Sequence, residues 1–437
     1  MNFRVTTPDH PQKSPFFRLI FGSLQNWPKS LKAIDSTQMP AKISLPTQAP
    51  SRNLVLSELF ANGMQSEIRA MSVECDRIRG INMAQGVCDT EVPSPVAEAA
   101  IAAIRDGQNI YTRLDGISKL RTSIAQKLQR YNQISCDPDT QILVTSGATG
   151  AFHAACMALL NPGDEVLLFE PFYGYHRNTL WSVRAKAVPV VLDGPRWNLD
   201  LDRLRNAITE RTKAILINSP CNPSGKVFTR QELEGIAALA QQHDLFVITD
   251  EIYEYFLCGD AEHISIGSLP GMAERTITIS GFSKTFSVTG WRLGYLAADP
   301  RWIPAIGYFH DLTYVCAPAP LQHGAAAGLL ELGEDFYRGL STEYEQKRDE
   351  LVAALTEAGL TPSIPDGAYY ILADSSRIPG KNAKEKARAL LARCGIAAVA
   401  GTAFFSEGRG ENLLRFCYAK KSEDLTEACR RIRSLNW

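Results

Sequence analysis

Thr276-Ile277-Thr278-Ile279-Ser280-Gly281-Phe282-Ser283-Lys284-Thr285-Phe286-Ser287-Val288-Thr289-Gly290-Trp291-Arg292 is the stretch around which the rest of the chain organises. Its β-branched opening reads as a strand, which breaks into a polar, glycine-punctuated turn with one lysine at its centre. Lys284 has Phe282 and Phe286 beside it and Arg292 eight residues on. Apolar surroundings and a neighbouring cation both disfavour an ammonium, so Lys284 is expected to lose its proton well below the value of about 10.4 usual for lysine. A lysine tuned in that way suits condensation with a carbonyl.

Two similar strand mouths lie upstream. Leu245-Phe246-Val247-Ile248 ends in Thr249-Asp250-Glu251-Ile252-Tyr253, which puts a carboxylate at the end of a strand and a phenol three residues later. Ala214-Ile215-Leu216-Ile217 runs into Asn218-Ser219-Pro220-Cys221-Asn222-Pro223-Ser224-Gly225, an extended segment followed by a tight turn. Thr145-Ser146-Gly147-Ala148-Thr149-Gly150 follows a further apolar run and opens an apolar helix, so backbone N–H groups and hydroxyls converge there as an anion site. From 141 to 298, short apolar runs alternate with helix-length amphipathic stretches, the pattern of a mostly parallel sheet covered on both faces. Seven strands are expected: 142–144, 166–169, 188–191, 215–217, 246–248, 276–279 and 294–297. Pro189 assigns the third of these to an edge or a strand start. In open α/β sheets ligands bind beyond the carboxyl ends of the strands, where these polar motifs fall. Residues 334–359 read as one long helix, followed by strands at 367–372 and 412–418.

Taken together, the order Asn-Pro-x-Gly at 222–225, Asp-x-x-Tyr at 250–253 and Ser-Lys at 283–284 with Arg292 eight residues on resembles the signature of the class I/II aminotransferases, fold-type I enzymes dependent on pyridoxal 5′-phosphate (PLP). The resemblance covers the chain from about Leu54 to its end, and is nearest to the aspartate- and kynurenine-aminotransferase-like members. It implies an α/β fold: a large domain (93–333) with a mostly parallel seven-stranded sheet flanked by helices, and a smaller α+β domain (54–92 with 334–437). It further implies that Lys284 holds the cofactor as an aldimine and moves the proton. Asp250 would face the pyridine nitrogen, Asn222 and Tyr253 the phenolate oxygen, and Tyr173 the ring, while Gly147, Ala148, Thr149, Ser283 and Arg292 would cradle the phosphate. Arg415 would clamp the substrate carboxylate, with Gly86 and Asn222 close to it. Tyr111 would reach the cofactor phosphate of a neighbouring subunit, making the active unit a homodimer. Two positions depart from the family pattern: Gly281 stands where many members have serine, and Ile110 where glutamine is usual.

The implied reaction is ping-pong transfer of an amino group from an L-amino acid to a 2-oxoacid. A lyase of the same fold, eliminating a β-substituent such as a thiol (C–S cleavage), would need every residue named so far, and these residues do not separate the two. A cofactor-binding regulator would need a DNA-reading module, which the N-terminal arm is too short and proline-interrupted to supply.

Bulk properties agree with an enzyme of small molecules. A chain of 437 residues exceeds one simple core. A formal net charge of -1 gives no field to gather nucleic acid or anionic membrane. Ten cysteines fall without a Cys-x-x-Cys pair or a Cys/His cluster, so neither a metal site nor a disulfide framework is expected, and a reducing, cytoplasmic compartment fits. No apolar run reaches the length of a membrane span. Residues 1–53 carry Arg4, Lys13, Arg18, Lys29, Lys32 and Lys42 against Asp9 and Asp35. Such an arm reads either as an organelle-targeting segment or as a disordered extension, with Met39 and Met64 as alternative starts.

Overall fold

The computed structural model describes residues 67–436 except Glu407, along with Leu54, Ser57 and Leu59. The expectations for residues 1–53 lie outside the described residues. Met1–Ala61 and Asn62–Trp437 are separate units, and the second carries all the architecture that follows.

Thirteen strands are described: β1 (Ile81–Asn82), β2 (Ile142–Thr145), β3 (Glu165–Glu170), β4 (Lys186–Val191), β5 (Thr212–Asn218), β6 (Phe246–Asp250), β7 (Thr276–Gly281), β8 (Gly294–Ala297), β9 (Thr361–Pro362), β10 (Tyr370–Asp374), β11 (Ile396–Ala397), β12 (Val399–Ala400) and β13 (Leu413–Cys417). The seven strands expected from the apolar runs, β2 to β8, form one sheet in the order β2-β8-β7-β6-β5-β3-β4. Strand β8 runs antiparallel to both its neighbours, and the remaining pairs are parallel. Pro189 sits in β4, at the edge of the sheet, where its missing N–H leaves no ladder bond unmade.

Alternation along each strand divides the core. Val166 and Leu168 of β3, with Ala214 and Leu216 of β5, pack towards the helix Gly147–Leu159. Leu167 and Phe169, with Ile215 and Ile217, pack on the other face against Leu233 and Ile236 of the helix Arg230–Gln242. Strands buried on both faces are apolar throughout, which is why these runs stand out in the sequence. The crossover from β5 to β6 begins at a capping box: Thr229 Oγ1 accepts from Glu232 N at 3.2 Å, and Glu232 Oε2 accepts from Thr229 N at 2.9 Å.

Downstream, the expected long helix spans Glu334–Glu357. It leads into a four-stranded sheet ordered β12-β13-β10-β9, antiparallel at each pairing. The short strand β1 pairs in parallel with β11. Among the described residues no helix is long and apolar enough to cross a membrane.

Candidate active site

The carboxyl ends of β2, β5, β6 and β7 open on one chamber of about 230 Å³. Its walls include Gly86, Ala148, Thr149, Tyr173, Asn222, Asp250, Tyr253, Ser283, Lys284, Arg292 and Arg415. Of the expected site residues, only Gly147 and Tyr111 are not in its walls.

Lys284 follows β7 in the turn that the buried rings of Phe282 and Phe286, stacked 5.8 Å apart, anchor to the core. Its Nζ donates to Gly86 O at 3.0 Å and lies 5.9 Å from the ring centroids of Tyr253 and Tyr369. Burial lowers its pKa below the ordinary lysine value, the neighbouring Cys88 and Cys417 oppose that shift, and Arg292 adds to it. The direction agrees with the sequence expectation, with desolvation as the leading cause and Arg292 a lesser one.

Asp250, the last residue of β6, is buried, and its Oδ2 lies 2.9 Å from Nε2 of His176. His176 was not anticipated. It sits in the first turn of the helix Gly174–Ser182, three residues after Tyr173, and its ring meets the Tyr173 ring edge-on at 5.3 Å. The spacing Tyr173-x-x-His176 at a helix start was the signal available: one turn of helix carries both side chains to the same face. The Nδ1 of His176 is buried without a protein partner.

At the opposite side of the chamber, Arg415 of β13 is 1% exposed. Its Nη1 donates to Asn222 Oδ1 at 2.9 Å, its Nη2 donates to Ala84 O, and its Nε has no protein partner. The guanidinium lies over the rings of Tyr370 at 4.4 Å and Phe404 at 4.8 Å. Asn222 is fixed in turn by its own N–H, which donates to Asn218 Oδ1 at 2.8 Å.

Glycines make the close approaches. A Cβ on Gly86 would fall 1.8 Å from the Tyr370 hydroxyl, and one on Gly147, at φ +76°, would fall 2.6 Å from Arg292 Nη2. Gly147 thus stands beside the guanidinium at the start of the helix Gly147–Leu159, next to Ala148 and Thr149. Arg292 is solvent-exposed, and its Nη1 donates to Thr289 O at 3.0 Å. At Gly281, a Cβ would meet Gly294 Cα and Leu293 O at 3.0 Å and Ile252 Cδ1 at 3.2 Å. The departure from the family serine therefore has a steric basis: the space beside β7 is filled.

Tyr111 lies elsewhere, 80% exposed like its neighbour Ile110, beside a separate cavity lined by Thr112, Arg113 and Ser118. Behind the chamber, Glu251, Glu254 and His263 bring potential ligand atoms within 4.8 Å of one another. Lys127 Nζ, 2.5 Å from Glu254, and Asn132 and Ser265, both bonded to Glu251, already occupy these carboxylates, which makes the cluster an internal ion network.

A mixed, mostly parallel sheet with a part-buried lysine after one strand and a buried aspartate ending its neighbour defines a fold-type I transferase. The class I and II aminotransferase model matches residues 78–432, and the chain belongs to that family. It is 37% identical over 373 residues to a probable N-succinyldiaminopimelate aminotransferase of Mycobacterium tuberculosis, covering 83% of this chain and 94% of that protein. It is 38% identical over 355 residues to an aspartate aminotransferase of Pyrococcus abyssi, covering 80% and 90%. Among solved structures, that of N-succinyldiaminopimelate aminotransferase from Mycobacterium tuberculosis superposes with a TM-score of 0.83 at 36% identity, covering 87% of this chain and 99% of the other. The chain is a transaminase, and the relatives are named for amino-group transfer.

Proposed function

We propose that the chain holds PLP in this chamber, anchored at Lys284, and passes the amino group of an L-amino acid to a 2-oxoacid in two alternating half-reactions. The observation that carries this reading is the convergence of a part-buried Lys284 whose pKa desolvation lowers, a buried Asp250 and the helix start at Ala148 and Thr149 on one chamber. The donor set fits the cofactor: a carboxylate for a pyridinium, amide and phenol for a phenolate, and helix N–H groups with Arg292 for a phosphate. When bound, the cofactor supplies an electron sink for the substrate α-carbon.

The side chains have separable tasks. Asp250, oriented by His176, keeps the ring nitrogen protonated, and Tyr173 packs on the ring. Asn222 and Tyr253 serve the phenolate oxygen. Gly147, Ala148, Thr149, Ser283 and Arg292 bind the phosphate. Lys284 Nζ, its proton affinity lowered by desolvation, would take the proton from the substrate α-carbon and deliver it to the cofactor carbon that carries the amino group, a positioned transfer contributing on the order of 10²–10⁴ in rate. Arg415 and Asn222 bind the α-carboxylate, with Gly86 keeping the backbone close. Tyr175 and Ile68, which also line the chamber, support a donor with an apolar or aromatic side chain.

Two further assignments rest on the same reading. The active unit is a homodimer in which Tyr111 reaches the partner's cofactor phosphate; its support is the exposed Ile110 and Tyr111, and Tyr308 and Leu312 exposed on the helix Ile303–Tyr314. The chain divides into the large domain (93–333) and the small domain (54–92 with 334–437), the pairing of β1 with β11 linking the two segments of the latter.

Borohydride reduction of the purified protein incubated with PLP tests the anchor. The label is expected on the peptide containing Ser283-Lys284, and absorption changes on adding single amino acids, reversed by a 2-oxoacid, would name the donor. A label on another lysine would overturn the assignment.

A further inference from the structure

Tyr253 and Tyr370 line the chamber with their hydroxyls 2.9 Å apart, both rings buried and nearly perpendicular. A single hydrogen bond joins two groups that can each donate, so its direction decides which phenol keeps a proton free for a ligand. The surroundings are asymmetric. Burial raises the pKa of both phenols; the Arg415 guanidinium, over the Tyr370 ring at 4.4 Å, opposes that rise at Tyr370, whereas Asp250 adds to it at Tyr253. A cation beside one phenol and an anion near the other make Tyr370 the better donor and Tyr253 the better acceptor. The Tyr370 hydroxyl takes the room that a side chain at residue 86 would need, so Gly86 is what admits it to this position.

We infer that Tyr370 is a positioning residue for this reaction: its hydroxyl donates to Tyr253 and so turns the Tyr253 proton towards the cofactor's phenolate oxygen. An oxygen that accepts one hydrogen bond donates a stronger one, so the Tyr370 bond sharpens the Tyr253 donor. Stabilising the phenolate in this way lowers the proton affinity of the conjugated nitrogen that Lys284 contributes. The inference rests on the cofactor assignment proposed above, and adds a second tyrosine to it.

The test is a pH titration of the visible absorption of the PLP-loaded enzyme. Replacing Tyr370→Phe keeps the ring over Arg415 and removes one oxygen. Its midpoint is expected to rise by roughly 0.5–1 unit, and in a Tyr253→Phe background the same replacement is expected to leave the midpoint in place. A Tyr370→Phe midpoint equal to the wild type would overturn the inference. So would an equal rise in both backgrounds, since the hydroxyl would then act by a route other than Tyr253. Failure of the cofactor assignment itself reads differently: the wild-type protein would show no titrating band.

Discussion

Arg415 is a cation with almost no exposure, and its surroundings explain how that is tolerated. Asn222 and Ala84 take up two of its nitrogens, and the rings of Tyr370 and Phe404 lie against its faces. Its buried Nε has no protein partner, a deficit costing about 1–3 kcal/mol that the substrate carboxylate proposed above would relieve. Arg415→Ala is therefore expected to raise KM for amino donors of every side-chain class, measured as kcat/KM across aliphatic, aromatic and acidic amino acids. A loss confined to one class would make Arg415 a reader of side chains. Lys284, Asp250, Tyr253 and Asn222 were legible in the sequence because each follows an apolar run within a few residues and brings a fixed spacing with it. His176 and Tyr370 were not, because neither stands at the end of an apolar run: His176 lies in a helix and Tyr370 within a buried tyrosine pair, and only the folded chain carries them to Asp250 and Tyr253.

At the scale of single elements, the helix Gly147–Leu159 shows how a binding cradle depends on a distant ring. No side chain caps its N-terminus; instead the N–H of Ser146 donates to Nε2 of His310 at 3.2 Å. That bond requires an unprotonated imidazole, and burial holds the His310 pKa at about 4, down from the ordinary 6.5. Between pH 6.5 and 4 the unfolded chain binds a proton that the folded chain refuses. The contribution is thus complete above pH 6.5 and is lost as pH falls towards 4, amounting to about 3 kcal/mol. Urea denaturation at pH 7 and pH 4.5 should show a smaller acid-side loss in His310→Gln than in the wild type; equal losses would show that His310 is not the group responsible. The strands themselves were legible because burial on both faces makes them uniformly apolar. The antiparallel course of β8 was not, since Gly294–Ala297 has the same composition whichever way it runs. Nor was the turn of π-helix at Leu128–Asn132, which carries the Tyr131 hydroxyl to the backbone carbonyl of Glu254 and Asn132, bonded to Lys127, to the Glu254 carboxylate.

For the molecule as a whole, the dimer assignment makes a complementation experiment decisive. Lys284→Ala removes the anchor but leaves Tyr111, and Tyr111→Ala does the reverse. If each site draws Tyr111 from the partner subunit, hybrids of the two variants contain one site with both groups intact. Mixing after partial denaturation is expected to give more activity than either variant alone, and activity equal to the average of the two would confine Tyr111 to its own protomer. Gly281 has a consequence on a longer timescale. The methyl of Ile252 and the backbone of Leu293 and Gly294 crowd the space beside it. A descendant recovering the family's serine would meet the backbone of Leu293 and Gly294 before the side chain of Ile252, so no single side-chain change clears its way. Trimming Ile252 alone leaves both 3.0 Å backbone contacts in place, so the route back also needs the start of β8 to give way. The glycine is thus held by the course of the neighbouring strand, which a side-chain substitution does not reroute.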